Sequence, residues 1–164
     1  MVAYGEEADV EATVGAEARG PVDYVLIEFQ GNRLTGRAAE ALLDLVDRGI
    51  VSVYDVMVIG KDASGAAYRA EMSRANAEEL GSFTELAWAR SGLLTDDDVA
   101  QAAEAMEPGT LAVLIVYENT WAIPFIAAAW SSGGQLIASA RLATQEVTDA
   151  LDAMESERMD SLGE

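Results

Sequence analysis

The sequence contains no cysteine and no histidine, and these two absences close more chemistry than any motif in it opens. Without cysteine there is no disulfide framework, no thiolate nucleophile and no sulfur ligand for zinc, copper or iron. Without histidine the usual near-neutral proton shuttle is gone, and with it the Ser-His nucleophile and the commonest metal ligand. Hard cations held by carboxylates are the metals that remain compatible. Positive charge is scarce as well. Lys61 is the one lysine among 10 basic residues, against 29 acidic ones, for a net charge of −19. The arginines are scattered from Arg19 to Arg158 and form no basic stripe, so DNA, RNA and anionic lipid surfaces are excluded as partners.

Long uninterrupted hydrophobic runs are missing too. The longest apolar span, residues 111 to 129, is broken by Glu118, Asn119 and Pro124 and makes a poor transmembrane helix. The start, Met1-Val2-Ala3-Tyr4-Gly5-Glu6-Glu7, has neither the basic residues nor the apolar stretch of a signal peptide. The expectation is a soluble cytoplasmic protein.

What is present is a chain of 164 residues, 51% hydrophobic, enough for one domain with a sizeable core. Residues 1–20, with Glu6, Glu7, Asp9, Glu11 and Glu17 among alanine and glycine, read as a disordered acidic tail. Residues 21–154 read as a single α/β domain. Residues 155–164, with Glu155, Glu157, Asp160 and Glu164, read as a flexible acidic end.

Within the domain, Tyr24 to Phe29 is a short β-rich strand. Thr35 then serves as N-cap of a helix with Ala38, Ala39, Leu42, Leu43, Leu45 and Val46 on one face, ended by Gly49. Val51 to Ile59 forms a strand, turned at Lys61 to Gly65 into a second strand over residues 66–72, an antiparallel hairpin. Residues 76 to 106 are helical with a break near Ser91-Gly92. The second part opens at Thr95, with Asp96, Asp97 and Asp98 in its first turn. Three adjacent aspartates invite Ca²⁺, but the alternating oxygens, central glycine and terminal glutamate of an EF-hand loop are absent, so they read as a helix cap. Pro108-Gly109 stops this helix. Leu111 to Tyr117, the most apolar strand, belongs at the centre of the sheet. A helix over Trp121 to Trp130, a terminator at Ser131 to Gly134, a closing strand at Gln135 to Ala140 and a last helix from Thr144 complete the chain. The predicted fold is α+β: a ferredoxin-like sandwich of two βαβ units separated by a strand and a helical segment, with a mixed sheet and helices mainly on one face.

The helix from Trp121 to Trp130 contains no polar side chain. At 100° per residue Trp121 and Phe125 share one direction, while Ile123, Ile126 and Trp130 lie well over 100° away. Two bulky apolar faces need two covers. One is this chain's own sheet and the other a second chain, so Trp121, Ile123, Phe125, Ile126 and Trp130 are the expected interface residues of a homo-oligomer, with an open sheet face as a further apolar surface.

Glu118, Asn119 and Thr120 lie where the central strand gives way to that helix, a common ligand position in α/β folds. Glu118 suits a base or cation ligand, Asn119 a two-way hydrogen bonder and Trp121 a stacking wall. Gln30, Gly31, Asn32 and Arg33 close the corresponding end of the first strand, and Arg33 is positioned to hold an anion. The same residues also have a purely structural reading: Asn119 or Thr120 as helix cap and Trp121 as a packing residue. No spacing singles out a carboxylate pair for catalysis, although Asp23, Glu28 and Glu118 are the acids an enzyme would use, and no resident metal or cofactor is implied.

The blocks Gly20-Pro21-Val22-Asp23-Tyr24, Asp47-Arg48-Gly49-Ile50-Val51, Glu107-Pro108-Gly109-Thr110, Glu118-Asn119-Thr120-Trp121-Ala122 and Ser132-Gly133-Gly134-Gln135 resemble a small actinobacterial family of unknown function over residues 20 to 152. More distantly the chain is similar to a family of supposed membrane proteins with a glycine-rich apolar insertion. Here residues 76 to 106 are charged and helical, so membrane association does not carry over. The resemblance implies no activity, cofactor or catalytic residue. The leading expectation is a non-enzymatic, self-associating protein with an assembly or scaffold role. The second is an oligomeric sensor of a small molecule or cation binding near Glu118 to Trp121, and the third a carboxylate-based enzyme.

Overall fold

β4 (Thr110–Glu118) forms because its sequence, TLAVLIVYE, is apolar on both faces, and every residue of it except Tyr117 is buried. In the computed structural model, which describes residues 19–30, 34, 36–73 and 76–163, this strand has a neighbour on each side. β1 (Val22–Phe29) pairs with it antiparallel, Val22 opposite Glu118 and Phe29 opposite Leu111. β2 (Ser52–Lys61) pairs on the other side, also antiparallel, and turns into β3 (Ala67–Ala70), giving the order β1-β4-β2-β3. The sheet is therefore antiparallel throughout, which corrects the expected mixed sheet. β1 and β2 do run in the same direction, as their link through α1 (Gly36–Asp47) demands, but β4 is inserted between them. The N-terminal tail through residue 18, the cap at Thr35 and the anion ligand at Arg33 lie outside the described residues.

Apolar residues occupy both faces. On one, Val25, Phe29, Val53, Val56, Val58, Leu111, Val113 and Ile115 pack with Ala39 and Leu42 of α1 and with Leu80, Phe83 and Leu86. The Phe29 and Phe83 rings meet edge to face at 6.0 Å. These last residues belong to α2 (Ala77–Leu80) and the 3-10 turn Gly81–Leu86, so the helical segment breaks at Gly81 as well as at the expected place. On the other face Leu26, Met57, Ile59, Ala112, Leu114 and Val116 pack with Leu94 and with Val99, Ala102 and Met106. Val99 and Ala102 belong to α3 (Asp96–Ala105). Helices thus cover both faces, a second correction.

Residue alternation along β2 changes phase midway: Val53 joins Val56 and Val58 in one cluster, and Tyr54 joins Met57 and Ile59 in the other. A bulge between Val53 and Asp55 inserts the extra residue. Asp55, which follows the extra residue Tyr54, is buried and accepts hydrogen bonds from the Leu94 N–H (3.0 Å) and the Ser91 hydroxyl (3.3 Å), fastening the loop that leads to α3.

α3 starts with the expected capping box: the Asp98 carboxylate accepts the Thr95 N–H at 2.8 Å. It ends on Lys61, whose Nζ donates to the carbonyls of Ala103 and Met106, both at 2.8 Å, placing positive charge at the negative end of the helix. After β4, a 3-10 turn (Thr120–Ala122) leads into α4 (Ile123–Ser131), with Pro124 in the first turn where its missing N–H does no harm. Gly133 at φ 86° terminates it.

The chain divides after Gly134, and residues from Gln135 form a second unit built on α5 (Thr144–Leu162). The closing strand expected at Gln135 to Ala140 is not formed. Hydrogen bonds to β1 and β2 already fill both edges of β4, so a second βαβ unit has no vacancy beside its first strand, and Leu136 and Ile137 remain exposed. α5 runs through the end expected to be flexible, as far as Leu162. No helix among the described residues is long and apolar enough to cross a membrane.

Because Lys61 satisfies two terminal carbonyls of α3, Lys61→Met is expected to destabilise the protein by about 2 kcal/mol, seen as a lower urea midpoint at unchanged slope. Arg48→Met, which removes only the exposed Arg48–Asp44 pair at 3.1 Å, should leave the midpoint close to wild type.

Candidate functional site at the end of β4

Asn119 follows the last residue of β4, and the polar groups from Glu118 to Trp121 meet the chain at two other places: residues 19 to 23 before and within β1, and residues 50 to 54 entering β2. The Glu118 side chain is only 5% exposed. Its Oε2 accepts the Gly20 N–H at 3.1 Å, and the Tyr54 hydroxyl is its second partner. The same hydroxyl accepts a hydrogen bond from Arg19 Nη1 at 3.0 Å. Burial, then the hydrogen bond to Glu118, pushes the Tyr54 hydroxyl above its ordinary value of 10.0.

Asn119 uses both ends of its amide. Nδ2 donates to the Pro21 carbonyl (3.0 Å) and to Asp23 Oδ2 (2.8 Å), while Oδ1 accepts the Trp121 indole N–H at 3.2 Å. Its backbone N–H also donates to Pro21, at 2.8 Å. The Thr120 and Ser52 hydroxyls lie 2.8 Å apart, and the Trp121 backbone N–H donates to the Ile50 carbonyl at 3.1 Å. Gly20 sits so close to this knot that a Cβ there would collide with the Asn119 carbonyl.

Glu118, Asn119 and Thr120 are thus brought together as the sequence implied, but their hydrogen-bonding capacity ties three segments to one another. Buried polar groups are paired because an orphan costs about 1–3 kcal/mol, and here the partners come from the chain itself. Phe29 lies opposite Leu111, at the start of β4, so β1 ends at the other end of the sheet from Glu118. Seven residues at about 3.4 Å each separate the two ends by roughly 24 Å. Residues 31–33 of the loop after β1, Arg33 among them, lie outside the described residues.

Glu28 is also at that far end, where its Oε2 accepts the Glu107 N–H (2.7 Å) and the Thr110 hydroxyl (3.0 Å). Of the three acids considered for catalysis, only Asp23 and Glu118 share an end, and Asn119 occupies Asp23. No group of three or more acidic residues able to hold a metal occurs among the described residues. Tyr54, Ser52 and Gly20 were missed by sequence reasoning, since nothing local marks residues that meet Glu118 only through the ladders.

The apolar residues of the same region behave differently. Trp121 is 64% exposed, Phe125 75% and Trp130 39%, while Ile126 is 5% exposed and Ala122 is also buried. Trp121 and Phe125 thus face outward, and Ile126 faces inward, into the core. Ile123 is half-buried.

A family model covers residues 18–160, which includes the sheet, the knot at the end of β4 and most of α5. The chain belongs to a family of unknown function, DUF6325. Comparison with curated proteins and with solved structures finds no match. Membership in the family brings no activity with it, so function has to be argued from the surfaces.

Because the folded state holds the Tyr54 proton more tightly than the unfolded chain, its contribution to stability is complete below pH 10 and disappears as pH rises through the elevated folded value. Urea midpoints followed from pH 8 to 11 should fall more steeply for wild type than for Tyr54→Phe. Equal slopes would show that the hydroxyl is not perturbed.

Proposed function

We propose that the protein is non-enzymatic and works by self-association, in an assembly or scaffold role, through the outward face of α4. The observation that carries this reading is the exposure of Trp121 and Phe125. They lie four residues apart and therefore on one side of the helical turn, backed by Ala122 and Ile126 on the buried side. Large apolar side chains exposed together mark contact surfaces.

Charge argues for a second copy as the occupant. Two chains of net charge −19 repel wherever their acids approach. From Asn119 to Ala140 there is not one charged side chain, so copies meeting through α4 do so where that repulsion is least. Incomplete cover of one sheet face supports the same reading. α3 packs against β2 and β3 and leaves a groove of about 200 Å³ above β1, lined by Tyr24, Leu26, Leu114, Asp98, Gln101 and Ala102. The ferredoxin-like reading of the fold rests on the β-α-β-β-α-β order of its elements alone. A sensor role at Glu118 to Trp121 is less well supported, since the polar groups there already have partners.

The wild-type protein should run as a discrete oligomer by size-exclusion chromatography with light scattering at micromolar concentration. Phe125→Asp and Trp121→Asp should each give a monomer with an unchanged circular dichroism spectrum, whereas Ile126→Asp should unfold the domain. A monomeric wild type overturns the proposal.

A further inference from the structure

The outer edge of β2 is covered in two instalments. β3 pairs with Val58 to Lys61 and stops at Ala70. Further back along the edge, a single bridge between Asp55 and Arg90 takes over, with the Val56 N–H donating to the Ala89 carbonyl and the Ser91 N–H to the Tyr54 carbonyl, both at 3.1 Å. The bulge at Asp55 re-aims the strand just there. Between the two partial partners the edge stays uncovered, and a cavity of about 380 Å³ opens. Its lining is mostly polar: the edge of β2 from Val56 to Val58, whose side chains are buried, together with Arg69 and Ala70 of β3, Glu71, the buried Met72, and Arg90.

We propose that this notch is a binding site for the oxyanion group of a small molecule, a phosphate or a carboxylate, held by Arg69 and Arg90. The chain has 10 basic residues to distribute and 29 acids to pair them with. Two of those ten converge on one cavity, and neither guanidinium has an ion pair or side-chain hydrogen bond among the described residues. The Asp55 carboxylate, next to the bridge, is already committed to Leu94 and Ser91. Glu71 is the one acid lining the notch, which leaves a local excess of one positive charge in a strongly negative molecule.

Two guanidinium groups that share one cavity with a single carboxylate leave a net positive charge, which an anion seated in the notch neutralises. Arginine's planar fork matches the paired oxygens of a phosphate or carboxylate. The backbone edge of β2 supplies the wall on which the remainder of such a molecule lies. The site is independent of the α4 surface. It sits at the β3 edge of the sheet, on residues that take no part in the proposed self-association, so each proposal can fail without the other.

Isothermal titration with inorganic phosphate and, separately, with succinate, at ionic strength held constant by sodium chloride, tests the site. Saturable binding of at least one of them is expected, and which one binds decides between phosphate and carboxylate ligands. Arg69→Gln and Arg90→Gln should each weaken binding about tenfold or more, as loss of a charged hydrogen bond does, while Arg37→Gln should not. In wild type the Nε–H resonances of Arg69 and Arg90 should shift on titration and that of Arg48 should stay. All three variants should keep the wild-type oligomeric state and circular dichroism. Absence of saturable binding by either anion overturns the proposal, as does binding that survives both substitutions at the notch.

Discussion

The structure depends on β4 having antiparallel neighbours on both sides. A strand buried along nearly its whole length must satisfy its backbone N–H and C=O groups within the sheet, because water is not available to them. With β1 and β2 as the two partners, that requirement is met and the strand can take no third. Three further features follow: the run from Gln135 to Ala140 has no place beside β4, the loops after β1 and after β4 leave from opposite ends, and the acid closing β4 is buried beside the start of β1. Glu118 is then confined among partners that arrive from Gly20 and Tyr54, and its chemistry is decided by the ladder more than by its own position in the sequence.

Features that depend on near neighbours were legible. Alternation and apolar content marked β1, β2 and β4, the glycine at residue 49 ended α1 with a positive φ of 69°, and Thr95 with Asp98 announced the start of α3. Helical periodicity separated Trp121 and Phe125 from Ile126 correctly, because rotation about a helix is a local quantity. It could not say which of the two directions faced inward. Strand order, the direction of pairing and the bulge at Asp55 depend on residues tens of positions apart, and one sequence carries no record of those encounters. The direction of β1 is the clearest case: because it pairs antiparallel with β4, Phe29 at its end lies roughly 24 Å from Glu118.

The region around Glu118 and Trp121 also shows which kind of residue is informative. Polar side chains there attracted attention as possible ligands, yet burial obliges them to find partners, and in this chain those partners are internal. A buried Asn or Glu with full hydrogen bonding is what a stable fold requires, so its presence argues little about function. An exposed tryptophan or phenylalanine meets no such obligation. Leaving Phe125 in water forgoes most of the roughly 1.5–3 kcal/mol that burying such a side chain contributes, and folding alone gives no return for it. Function is therefore better sought on the apolar side of α4 than in the polar knot beneath it.

Charge sets the terms on which such a surface can be used. A net −19 keeps copies apart over most of the molecule, and long-range repulsion between like-charged proteins grows with every copy added. An apolar patch on a neutral protein invites open-ended growth, whereas a patch confined to an uncharged stretch of an acidic one allows contact only when that stretch faces its equal. A surface that must meet its own copy makes an isologous contact, which closes after two subunits and leaves no apolar area to recruit a third. The acidity and the exposed aromatics are then parts of one arrangement: the aromatics supply the attraction, and the acids restrict it to one geometry and a small number of chains.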